Sequence, residues 1–407
     1  MRIESVRAVL AGYRKSDPPM QRSFALVRIE TDDGTIGWGE ASTNWGHSYP
    51  TVFRAVVDDV CARHLVGRDP LAIRERLAEL SVALDGYLGW EGLTSQTIGS
   101  IEIALWDIAG KALDAPVHQL LGSMAHPIPL YGTGTTMFDE SADWHAHYFD
   151  QCLALGFAGV KVRLGRALDD DVEVVRVVRD HIGPDRLMGV DSYWFHDPDT
   201  AIELSRRIAP YGIYFFEEPI PQYQIEGLER VQRGSPVRVA VGERVFSPRS
   251  FAELARRDAA RVFEPDATIV GGILACLQVA DIAARHSIEV IPHVGGPTVV
   301  GLAANLHWAT AARVRICEYD IDAHQPMITD IGHNPGLALV DLVDGTITAP
   351  TGPGLGVEVD EALLAAHPYV EGDTYAEIFP EHESGRSASS SAGGKEPTQA
   401  TEHLHDG

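Results

Sequence analysis

Between Ile128 and Asp320 eight short runs rich in strand formers are separated by amphipathic helical stretches. The runs are IPLYGTG from Ile128, GVKVRLG from Gly159, RLMGVDS from Arg186, IYFFEEP from Ile213, VRVAVGER from Val237, VFEPDAT from Val262, IEVIPHV from Ile288 and VRICEYD from Val314. Strands that alternate with helices form parallel sheets buried on both faces, and eight such units suffice to close a barrel. The pattern predicts an α/β fold centred on a (β/α)8 barrel over residues 126–325.

A barrel of this kind takes about 250 residues, so a chain of 407 has room for more. Residues 1–125 read as a small α+β domain. SFALVRIETDDGTIGWGE is a hairpin turned by Asp32-Asp33-Gly34, and TIGSIEIALWDIAGKAL sets Ile98, Ile101, Leu105 and Ile108 at helical intervals, as a buried helix joining the two parts would. The turn-rich segment 326–382 is expected to return to the N-terminal domain. Residues 383–407 are Ser-, Gly- and Thr-rich and too poor in apolar side chains to offset their ordering entropy, so they read as a disordered tail in which His403 and His405 are solvated.

The formal net charge of −25 argues against a nucleic-acid partner, which needs clustered Lys and Arg. Cys61, Cys152, Cys276 and Cys317 are scattered without CxxC spacing, which suggests neither a disulfide framework nor a thiolate metal site. No apolar stretch approaches the ~20 residues that span a bilayer and no signal-peptide pattern opens the chain; the reading is a cytoplasmic protein with no membrane partner.

The polar residues inside these apolar runs fall almost all at the C-terminal ends of their strands, which is the catalytic face of a barrel. In order they are Lys161 and Arg163, Asp191, Glu217, Glu243, Asp266, His293 and Glu318. Asp191, Glu217 and Glu243 end three successive units at intervals of 26 residues, so their oxygens can meet at one point. Hard oxygen ligands in a partly open shell select Mg2+. Any one of these acids alone also fits a helix cap; three in a row fit a metal site better, particularly as Arg244 is expected to point away from Glu243. Asp266 and His293 end neighbouring strands, so the carboxylate can fix one imidazole nitrogen and leave the other as a general base. Lys161 and Arg163, two residues apart, both face the mouth. Arg163 suits carboxylate binding, whereas Lys161 could titrate lower beside Arg163 and a divalent cation and so act as base or acid. The two glycines of HVGGPTVVGLAANL are a weaker signal, for backbone N–H groups meeting a substrate anion. GPGLG lacks the strand-then-helix context of a nucleotide fingerprint.

These residues, in this order, resemble the mandelate racemase subgroup of the enolase superfamily over about residues 1–380, through DDGTIGWGE, IEIALWDIAGKAL, KVR, VDS, FEEP, GER, EPDATIVGGI, IPH and GPGLGVEV. The resemblance implies a modified TIM barrel capped by the N-terminal domain and completed by the C-terminal segment. It implies one Mg2+ on Asp191, Glu217 and Glu243, an Asp266–His293 dyad, and Glu318 as the strand-eight acid facing the substrate carboxylate. It also implies a homo-oligomer built from dimers, the octamer among its forms. In such sites a base removes the proton α to a carboxylate and the resulting enediolate is stabilised by metal and cations.

Two positions depart from the family pattern. Arg163 stands where the racemases place a second lysine, which disfavours a two-base racemase; Ser192-Tyr193 stand where Ala-Asn is usual. With His293 as the single base, the expected reaction is dehydration of an aldonic or aldaric sugar acid to a 2-keto-3-deoxy acid. Cycloisomerisation or epimerisation of a related acid or lactone is the alternative, and a non-catalytic sugar-acid-binding barrel is the third reading. Loops at about 12–23 and 43–51 carry Tyr13, Arg14, Lys15, Arg22, Trp45, His47 and Tyr49, a set suited to a polyhydroxylated acid and a second anionic group.

Overall fold

The computed structural model describes residues 1–16, 19–42, 50–134, 140–321, 334, 336–338 and 342–369. The N-terminal part is a three-stranded antiparallel sheet, β1 (Ile3–Ser16), β2 (Pro19–Thr31) and β3 (Ile36–Ala41), in that spatial order. The β2–β3 turn is the expected Asp-Asp-Gly: Asp33 accepts from the Thr31 hydroxyl at 2.6 Å and the Thr35 amide at 3.2 Å, while Gly34 takes φ +84°. The Gly-Trp-Gly of β3 has a packing cause, since a Cβ on Gly37 or Gly39 would lie 2.3 Å from the Ala104 carbonyl or 1.8 Å from that of Ser100. Only glycine lets the helix Leu93–Ala112 lie directly on this strand. That helix buries Ile101, Leu105 and Ile108 completely, with Ile98 half-buried, and so joins the sheet to the barrel.

The eight expected strands are β4 (Ile128–Thr133), β5 (Gly159–Arg163), β6 (Leu187–Asp191), β7 (Phe216–Glu217), β8 (Val239–Val241), β9 (Val262–Phe263), β10 (Glu289–Val290) and β11 (Cys317–Asp320). They run parallel in the order β10-β9-β8-β7-β6-β5-β4-β11, and β12 (Thr346–Ile347) adds to β4 antiparallel. Tyr131, Phe215, Ala240, Val262, Ile291 and Ile316 form an apolar layer of their own within the fold. One departure from a fully laddered barrel lies between β10 and β11, which share no strand ladder among the described residues. Pro292 withholds an N–H just after β10, and the seam is bridged instead by a side chain: Glu318 Oε2 accepts from the Val294 amide at 2.8 Å.

The βα turns supply helix caps from their own sequence. Asp197, Ser247 and Thr298 each accept a backbone N–H at the start of the following helix. The C-terminal segment meets the N-terminal sheet through Arg7 and Arg28, both paired with Glu361, and through Gly12, whose amide donates to the His367 carbonyl at 2.9 Å. In GPGLG the Leu355 amide donates to Asp107 at 2.9 Å, a joint to the linking helix rather than a nucleotide loop. The expected tail, with His403 and His405, lies outside the described residues, and no helix among those described is long and apolar enough to cross a membrane.

Candidate active site

Side chains from alternate strands share a layer in a barrel, and one such layer here is fully charged. Lys161, Glu217, Glu264 and Glu318 come from strands two, four, six and eight, each no more than 1% exposed. Lys161 Nζ lies 2.6 Å from Glu217 Oε2, 2.5 Å from Glu318 Oε1 and 3.7 Å from Asp191 Oδ2. Burial alone would lower the Lys161 pKa, but Glu217 and Glu318 outweigh it and raise it above its ordinary value. Three carboxylates face Lys161, against the single charge of Arg163; the lower titration expected of Lys161 depends on a divalent cation joining Arg163 beside it. Burial likewise pushes Glu318 up, yet Lys161 and His293 hold it down at about 2.

The parallel register sets Arg163 beside Asp191 and Asp191 beside Glu217. Arg163 contacts Asp191 Oδ2, while Asp191 Oδ1 accepts from the Tyr193 amide at 2.8 Å. Arg244 corrects a second expectation. Strand β8 ends at Val241, and the Val245 amide turns back to the Gly242 carbonyl at 3.0 Å, so strand alternation no longer governs residue 244. Arg244 contacts both Glu243 Oε1 and Glu218 Oε2, with its guanidinium 4.3 Å from the Tyr193 ring centre and 3.8 Å from that of Trp194. Tyr193, Trp194 and Glu218 all hold positive φ, at 48°, 55° and 38°. Such backbone is costly in non-glycine residues and clusters at functional sites.

His293 and Asp266 meet as expected. Nδ1 lies 3.0 Å from Asp266 Oδ2; Nε2 lies 2.9 Å from Glu243 Oε2 and 4.0 Å from Glu318 Oε2. Burial would lower the His293 pKa, but the Asp266 hydrogen bond and the Glu318 charge raise it. With both ring nitrogens against carboxylates, the arrangement favours the imidazolium.

Sequence reasoning missed Glu264, Glu218 and Arg244's inward turn. Glu264 was legible by period two from Val262, since residues 262 and 264 share the inward face. Both its oxygens are buried without a partner, and burial pushes its pKa well up, with Glu217 adding to the effect. Glu218 left no such signal, because a positive φ aims it.

At the rim, Arg22 of β2 is 3% exposed and holds Asp320 Oδ2 through both Nη atoms at 3.1 Å, with Nη1 3.4 Å from the Gly296 carbonyl. A Cβ on Gly296 would lie 1.8 Å from Arg22 Nη1, so this glycine admits a cap-to-barrel ion pair. Tyr13 is half-buried against the main core; the side chains of Arg14 and Lys15, and all of Trp45, His47 and Tyr49, lie outside the described residues.

Seven carboxyl groups thus crowd a site with three permanent cations, Lys161, Arg163 and Arg244. Such an excess of buried negative charge calls for a further cation. Among the described residues no three His, Cys, Asp or Glu side chains are grouped as a metal shell. Asp191, Glu217 and Glu243 each lean on a basic side chain instead, yet Glu217 Oε1 is buried without a partner.

Residues 146–363 match the family described as enolase C-terminal domain-like, and residues 17–122 match the mandelate racemase/muconate lactonizing enzyme N-terminal domain. The chain belongs to the mandelate racemase/muconate lactonizing enzyme family of the enolase superfamily. Members of this family generally use Mg2+. The chain is 33% identical over 384 residues to a D-galactarolactone cycloisomerase from Agrobacterium fabrum, covering 89% of this chain and 98% of that one. It is 30% identical over 362 residues to a D-galactonate dehydratase from Xanthomonas oryzae pv. oryzae, covering 84% and 90%. A crystal structure of a racemase from Streptomyces coelicolor A3(2) with bound magnesium superposes with a TM-score of 0.81 at 25% identity, covering 90% of this chain and all of that one.

Proposed function

We propose that the chain is a Mg2+-dependent sugar-acid dehydratase that removes the proton α to a carboxylate and expels the β-hydroxyl. The observation that carries this reading is the buried His293–Asp266 pair facing a carboxylate cluster with unsatisfied oxygens. Asp191, Glu217 and Glu243 would hold the metal, which would stabilise negative charge on the substrate carboxylate as the α-proton leaves. The fit is chemical: three hard carboxylate donors on adjacent strands, with an orphaned oxygen on Glu217.

With Glu243 holding the cation, His293 would be released from that carboxylate, and the ring would keep Asp266 on Nδ1 and a lone pair on Nε2. That nitrogen takes the α-proton. Lys161 and Arg163, both cationic, face the charge that develops on the carboxylate. The electron pair of the enediolate expels the β-hydroxyl, which takes the proton now held by His293 and leaves as water. The enol that remains tautomerises to the 2-keto-3-deoxy acid. One base on one face supports elimination over two-base racemisation.

A second reading is favoured by the cycloisomerase relative, which aligns over nearly its whole length. The same base and cations would serve there with a ring oxygen as leaving group. Product mass separates the two. D-galactonate and D-galactarolactone, each incubated with enzyme and Mg2+, should yield from one of them a product lighter by one water that forms a semicarbazone. A product of unchanged mass would replace dehydration by cycloisomerisation.

A further inference from the structure

Asp266 has two oxygens with different duties. Oδ2 faces His293 Nδ1 at 3.0 Å, whereas Oδ1 accepts from the Thr268 amide at 2.8 Å, the Thr268 hydroxyl at 2.7 Å and Asn305 Nδ2 at 2.9 Å. Asn305 is fully buried in the helix Val299–Ala312, whose buried face is otherwise largely apolar. Its amide cannot flip, because Oδ1 accepts from the Ala267 amide at 2.9 Å and from Trp308 Nε1 at 2.8 Å, and both of these only donate. The N–H of Asn305 is therefore committed to Asp266.

The helix is itself anchored from the N-terminal domain. Glu40, at the end of β3, accepts from the Thr298 amide at 2.9 Å, the Thr298 hydroxyl at 2.6 Å and the Gly301 amide at 2.8 Å. One turn further on, the same helix presents Asn305.

We propose that Asn305 is a positioning residue for proton abstraction: with the Thr268 hydroxyl it fixes Asp266 Oδ1, so that Oδ2 meets His293 Nδ1 and holds the imidazole in one tautomer and one orientation. This rests on reading His293 as the base and Asp266 as its orienter. A residue that only filled the core would not set the direction of a neighbouring carboxylate.

Asn305→Asp is the informative variant. It keeps both accepted hydrogen bonds, and with them the packing, but turns the donated bond into a contact between two carboxyl groups, which would have to share a proton. Thr268→Val removes one hydroxyl donor without changing volume and serves as the second variant if the first does not fold. The probes are the His293 ring N–H resonance in proton NMR, which needs no substrate, and D-galactonate or D-galactarolactone turnover with α-deuterated substrate. In wild type a hydrogen-bonded ring N–H should resonate downfield of the amide envelope and vanish in His293→Asn.

The expected result is a displaced or lost resonance in Asn305→Asp, with kcat down about tenfold or more, KM and Mg2+ affinity unchanged, and a larger α-deuterium isotope effect. Thr268→Val should move the resonance and kcat the same way by less. Folded variants with wild-type resonance and isotope effect would overturn the inference. A His293→Asn enzyme that kept full α-proton exchange would instead overturn the reading of the dyad, and the inference with it.

Discussion

His293 is asked to move a proton, Glu217 to hold a metal, and the two roles predict different failures. His293→Asn should cut turnover by about 10²–10⁴-fold, the usual span of general-base catalysis, while leaving Mg2+ affinity within a small factor of wild type. Glu217→Gln should do the reverse at the metal: calorimetric Mg2+ affinity should fall at least tenfold, since a hard anionic donor is lost. Equal Mg2+ affinity in the Gln variant would remove Glu217 from the ligand set. Much of this site was readable from single residues, because strand ends aim side chains predictably: Lys161 and Arg163 share a face by alternation, and Asp266 and His293 close neighbouring strands. Arg244 and Glu218 were not readable, since both lie past the strand ends, where the turn at Gly242 and a positive φ at Glu218 redirect them.

At the scale of elements, two buried carboxylates tie the N-terminal domain to barrel helices. Glu40 takes the N-terminus of the helix Val299–Ala312, and Glu102 takes that of Ile273–Arg285, accepting from the Ile273 amide at 2.7 Å and the Leu274 amide at 3.0 Å. Burial pushes each up to about 7, against these hydrogen bonds, from an ordinary value of 4.5. The folded state therefore binds protons that the unfolded chain has released between these two values, so stability is greatest below about 4.5 for these groups and declines as pH rises through 7. Urea unfolding across pH 5.5–8 should show a falling midpoint, and Glu40→Gln combined with Glu102→Gln should flatten it; a parallel decline in the double variant would refute the assignment. The eight-unit period made the barrel visible in the sequence. The missing ladder between β10 and β11 was not, because it depends on how Glu318 and the Arg22–Asp320 pair bridge the seam, which only tertiary packing decides.

For the molecule as a whole, Val82, Leu113 and Met124 lie 82%, 61% and 83% exposed in the single chain. Apolar side chains left this open are candidates for cover by a second copy. The proposed assembly is a homo-oligomer built from dimers, and light scattering that gave the mass of one chain would contradict it. The proposed reaction rests on metal-dependent removal of an α-proton by His293. The most direct measurement is the exchange of the α-proton of D-galactonate and of D-galactarolactone in D2O, followed by NMR for wild type with Mg2+, wild type with EDTA, and His293→Asn with Mg2+. The prediction is loss of the α-proton signal from at least one acid only in the first sample. Exchange that survived either EDTA or the loss of His293, or its absence from all three, would contradict the account.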